Sequence, residues 1–359
     1  MTIVHLIYPN GDSIAAPWTI GRHLSAYLAE QGYVVHRHQW DASAVIPARP
    51  EDVLLGHPHP APQTIFRKSA RQKGWKKVIA LAPFNADLRQ VAFLDTVLPD
   101  CDRFLAITGN YWYRVIDQSP VAHWRPKMVH LDLAVDRKEF PATKSAFSPP
   151  GQRRFLYIGH SGWQKNPAYL TALAERIPGV DFGWMGSGRP IRGLTALGSQ
   201  DFSQTAARRL VAEYDFLITV GKADANPTTI LEAMAWGLLP VCTPQSGYEN
   251  IPGIVNVPVD QPDLAVEELR RLQEMPDAAL REQQTHNWRL LDTHFNWARF
   301  GQQVVEAVES SNSPALLPVS LGRKWRLRWA AAVSPNAPFG PRNLARLLYW
   351  RVRRITGRG

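Results

Sequence analysis

Apolar and polar positions in this chain change their period repeatedly. Apolar runs at 2–8, 33–40, 52–56, 77–82, 103–108 and 127–133 read as strands. Between them the spacing is helical, at 18–31, 63–72, about 87–98 and 110–118. The stretch 148–154 (SPPGQRR) reads as a linker, and then the alternation restarts. Further strands are expected at 155–159, 180–185, 193–197, 216–220, 238–243 and 254–257, with helices at 167–176, 202–213, 264–275, 277–291 and 296–308. Strands alternating with helices predict parallel sheets. The expected organisation is two facing Rossmann-like domains, 1–150 and 151–309, followed by a tail, 310–359.

The region 214–247 carries the densest set of signals. After the strand at 216–220 comes a loop holding Asp224. Asn226 is placed to cap a helix that opens at Pro227, where a missing N–H costs nothing. Glu232 lies inside that helix, Gly237 ends it, and another strand follows. Strand, loop, helix start and strand make the unit that builds a crevice at the carboxyl ends of parallel strands. Free N–H groups at the helix start suit a phosphate or a sugar. Asp224 and Glu232 could accept hydrogen bonds from two hydroxylated parts of one ligand.

Length and composition narrow the class. A chain of 359 residues with 45% hydrophobic and 20% charged residues fits two globular domains. Cys101 and Cys242 have no metal-ligand spacing and are expected to be reduced and buried in a cytosolic chain. The N-terminus, MTIVHLIYPNGD, reads as a first strand rather than a signal peptide. No apolar run approaches the roughly 18 residues of a membrane span.

Charge is unevenly placed. Residues 321–359 hold ten basic residues and no acid, leaving 31 basic and 31 acidic residues in the rest. Leu321, Trp325, Trp329 and Val333 recur every four residues, and Gly340-Pro341 opens a second amphipathic segment. Basic residues among aromatics suit an anionic membrane surface. Nucleic acid is the less favoured partner for the same residues, and packing on the body is the bland alternative.

Other candidates come from loops. Gly159-His160-Ser161-Gly162-Trp163-Gln164-Lys165-Asn166 joins a strand to a helix, and its lysine can reach a diphosphate or simply lie in solvent. Gly186-Ser187-Gly188 ends a strand, but Arg189-Pro190 follows, which counts against a nicotinamide or flavin site. His57 and His59 follow a strand and could supply a base or a sugar contact; no third ligand stands at metal spacing. Asp100-Cys101-Asp102 resembles the paired acids that hold a metal–nucleotide in some transferases, but the favoured reading is exposed turn acids, and no serine lies in a nucleophile elbow.

These residues together resemble the GT-B glycosyltransferases, and within them glycosyltransferase family 4. The resemblance covers 1–309 in organisation and is strongest at 155–250. Gly159 and Lys165 match the family's glycine-then-lysine loop; Gly186 and Gly188 match its strand ending in G-x-G. Asp224 and Glu232 fall on its paired-acid signature, and EAMAWGLLPV resembles the run that follows it. Asp136, Phe140 and Pro141 loosely resemble its domain-crossing motif.

The resemblance implies a nucleotide-diphosphate sugar held by the C-terminal domain. Glu232 would bind the ribose. Asp224, Asn226 and the N–H groups at Thr228 and Thr229 would hold the sugar and distal phosphate. Lys165, with Gly159, His160 and Gly186, would meet the diphosphate, and Leu197-Gly198-Ser199 would contact the base. A saccharide or lipid-linked acceptor would enter past Gly11, Asp12 and His57. Lys165, Asp224 and His57 are the catalytic candidates. The family implies retention at the anomeric carbon, no cofactor and no metal. The expected setting is cell-surface polysaccharide or glycolipid synthesis at the inner membrane face, with the tail as the dock. Three positions depart from the family: Asp224 in place of Glu, His160 in place of Arg, and Pro83-Phe84-Asn85 where a histidine is common. Two alternatives follow. One is an inverting transferase with His57 or Asp12 as base; the other is a degenerate sugar-binding or assembly protein.

Overall fold

The computed structural model describes residues 2–11, 13, 15–61 and 63–333. In chain order the first half holds β1 (Ile3–Ile7), α1 (Ala16–Glu30), β2 (Val34–His38), β3 (Val53–Gly56), α2 (Ile65–Ala70), β4 (Lys77–Pro83), α3 (Leu88–Val91), β5 (Arg103–Ile107), α4 (Gly109–Val115) and β6 (Met128–Leu131). The second holds β7 (Phe155–Ile158), α5 (Pro167–Arg176), β8 (Phe182–Met185), β9 (Thr195–Ala196), α6 (Thr205–Ala212), β10 (Phe216–Thr219), α7 (Thr228–Trp236), β11 (Leu239–Cys242), β12 (Val255–Asn256), α8 (Pro262–Gln273), α9 (Asp277–Thr293) and α10 (Trp297–Glu309). A last described helix, α11, spans Leu321–Val333. The chain forms two compact units: one takes residues up to 107, 114–131 and those from 301 on, the other 108–113 and 132–300.

The first unit is built on a six-stranded sheet in the order β2-β1-β3-β4-β5-β6, parallel throughout. Its central strands are apolar on both faces: Val53, Leu54 and Leu55 are all fully buried, as expected for parallel strands covered by helices. In α1, Ile20, Leu24 and Leu28 fall four apart on one buried stripe. The helix expected over 87–98 is shorter. Asp87 caps α3 by accepting from the Arg89 N–H, 3.2 Å, and after Val91 the chain tightens into 3-10 turns at Ala92–Thr96 and Leu98–Asp100. Side chains hold that tightened turn. Arg67 donates to Thr96 Oγ1 at 2.7 Å, and Asp95 Oδ1 meets His123 Nε2 at 2.6 Å and Trp124 Nε1 at 3.0 Å. Asp102 is structural rather than an idle turn acid: its Oδ2 accepts from the Val78 N–H at 2.7 Å.

Helix α11 packs on α3 and the 3-10 turn after it through Leu327, which is fully buried. The stripe expected from the sequence faces away: Leu321 is 76% exposed, and Trp325 and Trp329 are each 69% exposed. The segment beginning at Gly340-Pro341 lies outside the described residues, as does everything from 334 on. No helix among the described residues is long and apolar enough to cross a membrane.

The second unit repeats the plan, with strand order β12-β11-β10-β7-β8-β9, again parallel. Its centre is a stack of three phenylalanines from adjacent strands: Phe155 lies 5.1 Å from Phe182 and 5.0 Å from Phe216. Leu170 and Leu173 of α5 and Leu269 and Leu272 of α8 join the same core. Cys101 and Cys242, one in each unit, are buried and free.

The division differs from the one drawn at 150/151. Residues 132–150 belong to the second unit because buried polar groups bind them there. Lys144 pairs with Asp215 at 3.0 Å, both side chains almost fully buried. Asp215 also accepts from the Ser148 and Arg154 N–H groups, at 2.8 and 2.9 Å. Three partners surround one buried carboxylate, and none of them announces itself in the local sequence.

Candidate functional site

In the second sheet the chain runs β7, β8, β9 outward in one direction, then returns to place β10 on the other side of β7. Ligands of open parallel sheets bind outside the carboxyl ends of the strands where the order reverses. Here the reversal falls between β7 and β10. The loop after β7 carries Gly159 to Lys165; the loop after β10 carries Asp224 and Asn226. The backbone ties them together, since the Lys222 N–H donates to the Gln164 carbonyl at 2.9 Å. The Lys165 ammonium and the Asp224 carboxylate form an ion pair, both side chains largely buried.

Several groups fix this pair. The Asp224 N–H donates to the Gln245 carbonyl at 3.1 Å. Trp112 Nε1 donates to the carbonyls of both Asp224 and Gln245, at 2.8 and 3.1 Å. Tyr157 Oη donates to the His160 carbonyl at 2.8 Å, and His160 Nδ1 accepts from the Gly162 N–H at 2.9 Å. Burial, then the neighbouring Lys165 cation, holds the His160 imidazolium below its ordinary range, against the pull of Asp224. Trp112, Gln245 and Tyr157 were not anticipated. Trp112 sits 112 positions from Asp224 in a helix with no motif around it, so no local signal marks it.

The start of α7 corrects one expectation. The helix begins at Thr228 with Pro227 in the cap position, and no side chain caps it. Asn226 stands one residue earlier, in the left-handed region at φ 53°, fully buried. Its Oδ1 accepts from the Leu133 N–H at 2.6 Å, so it pins the loop to a segment far away in the chain instead of capping the helix. The first-turn N–H groups of α7, at Thr228 and Thr229, therefore have no side-chain cap.

Glu232 lies one turn on. It keeps part of its surface accessible, yet desolvation raises its carboxyl to about 7, opposed by a hydrogen bond with Thr228. A neighbour common to both acids is Tyr248. Its phenol donates to the Pro227 carbonyl at 3.2 Å, and its ionisation is suppressed by burial and then by nearby acids that include Asp224 and Glu232. Both acids picked from the sequence therefore lie within electrostatic reach of Tyr248.

The glycine-bearing loops stand beside each other at the ends of β7 and β8. A Cβ on Gly186 would lie 2.0 Å from the Gly159 carbonyl oxygen, so only glycine permits this approach. The Gly186 N–H donates to the Gly198 carbonyl at 3.0 Å, which brings the 197–199 stretch alongside.

In the first unit, the order reverses between β1 and β3, so the same rule points to Tyr8–Gly11 and His57. Gly11 is exposed and has φ 126°. Asp12 lies outside the described residues. His57 does not suit a general base. Desolvation lowers its pKa to about 3, and its Nδ1 is buried without a hydrogen-bond partner. A base works best with a pKa near the operating pH. Among the described residues no three His, Cys, Asp or Glu side chains gather as a metal site.

Comparison with known proteins finds the fold in solved structures only. Neither a family model nor a curated protein sequence matches the chain. The sucrose-phosphate synthase of Thermosynechococcus elongatus is similar over 86% of this chain and 98% of its own, with TM-score 0.64 and 14% identity. An α-glucosyltransferase solved with UDP and DNA containing an HMU base is similar over 86% and 99%, with TM-score 0.60 and 12% identity. TarM is similar over 73% of this chain, which spans 55% of TarM, with TM-score 0.56 and 9% identity. Two Rossmann-like units, each with a six-stranded parallel sheet and flanking helices, are the GT-B fold these transferases share.

Proposed function

We propose that the protein is a glycosyltransferase that moves a sugar from a nucleotide-diphosphate donor to a saccharide or lipid-linked acceptor, with retention and without a metal. The observation that carries this reading is the pairing of Lys165 with Asp224 at the strand-order reversal of the second unit, beside the α7 helix that carries Glu232. The fold neighbours add support: the α-glucosyltransferase was solved with UDP and with UDP-glucose, and S. aureus TarM with UDP.

In this reading the α7 N-terminus and Lys165 take the diphosphate. Fixed cations and amide dipoles aimed at a leaving phosphate stabilise the charge that develops as the glycosidic bond to it breaks. Asp224 holds a hydroxyl of the donor sugar. Glu232 accepts from the ribose hydroxyls, Asn226 fixes the loop, and the backbone at Gly198 meets the base. Burial holds the His57 imidazole well below its ordinary range, which disfavours it as the base of an inverting transferase, while the other candidate base, Asp12, lies outside the described residues.

The setting proposed is the cytoplasmic face of a membrane, in polysaccharide or glycolipid synthesis. Trp325 and Trp329 stand out from α11 among Arg323, Lys324, Arg326 and Arg328. Aromatic side chains interleaved with cations complement an anionic bilayer.

A thermal-shift panel of UDP-, GDP- and ADP-sugars, run with EDTA present, tests the donor reading, since a ligand of the native state stabilises by mass action. One class should raise the melting temperature, and Glu232→Ala should abolish that rise. No response to any of the three removes the donor assignment.

A further inference from the structure

The first sheet ends in β2, which pairs with β1 alone and has no buried residue among its five. Three histidines share one face of this edge. His5 of β1 stands opposite His36 of β2, and His38 lies two residues further along β2, on the same face. The rings of His36 and His38 lie 5.4 and 5.3 Å from that of His5. Trp75 closes the group at 5.6 Å, and Arg49 and Asp52, from the stretch before β3, are its charged neighbours.

Two contacts join these groups in a line. His5 Nε2 lies 3.3 Å from Asp52 Oδ2, and His5 Nδ1 lies 3.1 Å from His38 Nε2. His5 and Asp52 are both buried, so water competes little for these partners. A carboxylate only accepts, so His5 Nε2 carries the hydrogen it donates. A neutral His5 then has a bare Nδ1, and His38 Nε2 must supply the N–H between the two rings. One added proton is tolerated, because a cationic His38 still donates through Nε2 and Asp52 balances the charge. A second is not. With both rings cationic every ring nitrogen carries a hydrogen, so two N–H groups meet at 3.1 Å with no acceptor, and two like charges face one carboxylate. Burial holds the His5 imidazolium below its ordinary range, helped by the charges of His36 and Arg49 and opposed by Asp52; burial, then His5 and His36, does the same to His38.

We propose that the line His38–His5–Asp52 is an acid-sensitive latch on β2, closed while the two imidazoles share at most one proton and opened by the second, which drives His38 and its strand off β1. The side that yields is β2. His5 sits in a strand paired on both sides, by β2 and β3, whereas His38 sits in one paired on a single side. Both histidines hold protons less well in the native state than in an unfolded chain. Their contribution to stability is therefore fully present above about 6.5 and is lost as pH falls below it. Release of β2 leaves the β1 edge open to pairing with another strand. The latch stands apart from the groups assigned to sugar transfer.

Amide hydrogen exchange on the full chain, read by mass spectrometry from about pH 7.5 to about pH 5 and corrected for the intrinsic rate at each pH, tests the latch. The central strand β4 (Lys77–Pro83) is the reference for opening of the whole unit. Protection of the Val34–His38 amides should fall at least about tenfold relative to β4 over this range, since each proton taken up on opening is worth about tenfold per pH unit. His38→Gln keeps a donor toward His5 Nδ1 but removes one titrating ring, so it should cut the acid loss to a few-fold or less. Asp52→Asn removes the carboxylate that balances the first proton, so it should move the loss of protection to higher pH; it also decides the matter should His38→Gln fail to fold. An acid response in wild-type β2 no larger than that of β4 overturns the latch. So does a response of equal size in folded His38→Gln, or an unmoved or lowered midpoint in Asp52→Asn.

Discussion

Lys165 and Asp224 are paired across the two loops that flank the break in strand order, 59 positions apart in sequence. In the ligand-free protein each neutralises the other. On the proposed reading, a diphosphate at the α7 N-terminus would offer Lys165 a second anion and release Asp224 toward the sugar. Replacing Lys165 by Met removes the cation that, on this reading, meets the leaving phosphate. The turnover rate should fall about 100- to 1,000-fold, as when one transition-state contact is deleted. The check is single-turnover transfer with saturating donor, and a rate within a few-fold of wild type would count against this role.

Glu232 makes the site sensitive to pH. Its carboxyl is raised from 4.5 to about 7, so the native state holds this proton more tightly than the unfolded chain. Its contribution to stability is full below about 4.5 and is lost as pH rises through about 7. Glu232→Gln should flatten that part of the stability curve in denaturant titrations. If ribose hydroxyls donate to the ionised form, as proposed, donor affinity should rise through the same window in wild type and stay level in the variant.

Trp112 holds the Asp224 backbone in place, although no motif surrounds it. Its indole N–H serves two carbonyls, those of Asp224 and Gln245. Trp112→Phe keeps a ring but leaves both carbonyls without that donor. It should cost about 1–3 kcal/mol in urea unfolding and weaken donor binding more than acceptor binding.

Truncating the tail is a poor test of the membrane proposal, because α11 covers part of the first unit through the buried Leu327. Substituting the outward residues is cleaner. Trp325→Ser with Trp329→Ser should lower partitioning onto phosphatidylserine vesicles by about tenfold or more, from the apolar area each indole would bury. The melting temperature should not change. Equal sedimentation of variant and wild type with vesicles would dispose of this docking surface.

Much of the fold was legible because each strand is a short apolar run and each helix a 3.6-period stripe. Helix α5 begins and ends where its sequence says, opened by Pro167. The placement of Asp224 in a loop and Glu232 in the helix after it was legible too, since both sit in one continuous strand, loop and helix unit. What could not be read is what depends on distant partners. Asn226 has the sequence of a helix cap, but the Leu133 N–H claims its side chain. His57 looks like a base until Tyr8 and Trp40 are packed around it. The turn after α3 and the placement of 132–150 are likewise decided by Arg67, His123 and Asp215, none of them near in sequence to what they hold.

The central claim is that the second unit holds a nucleotide diphosphate through Lys165 and Glu232. Titration calorimetry of UDP, GDP and ADP into wild type and Glu232→Ala measures this directly. One nucleotide should bind the wild type, and its affinity should drop at least about tenfold in the variant, the loss of roughly one charge-assisted hydrogen bond. Equal affinity for wild type and variant, or no binding of any nucleotide, would contradict it.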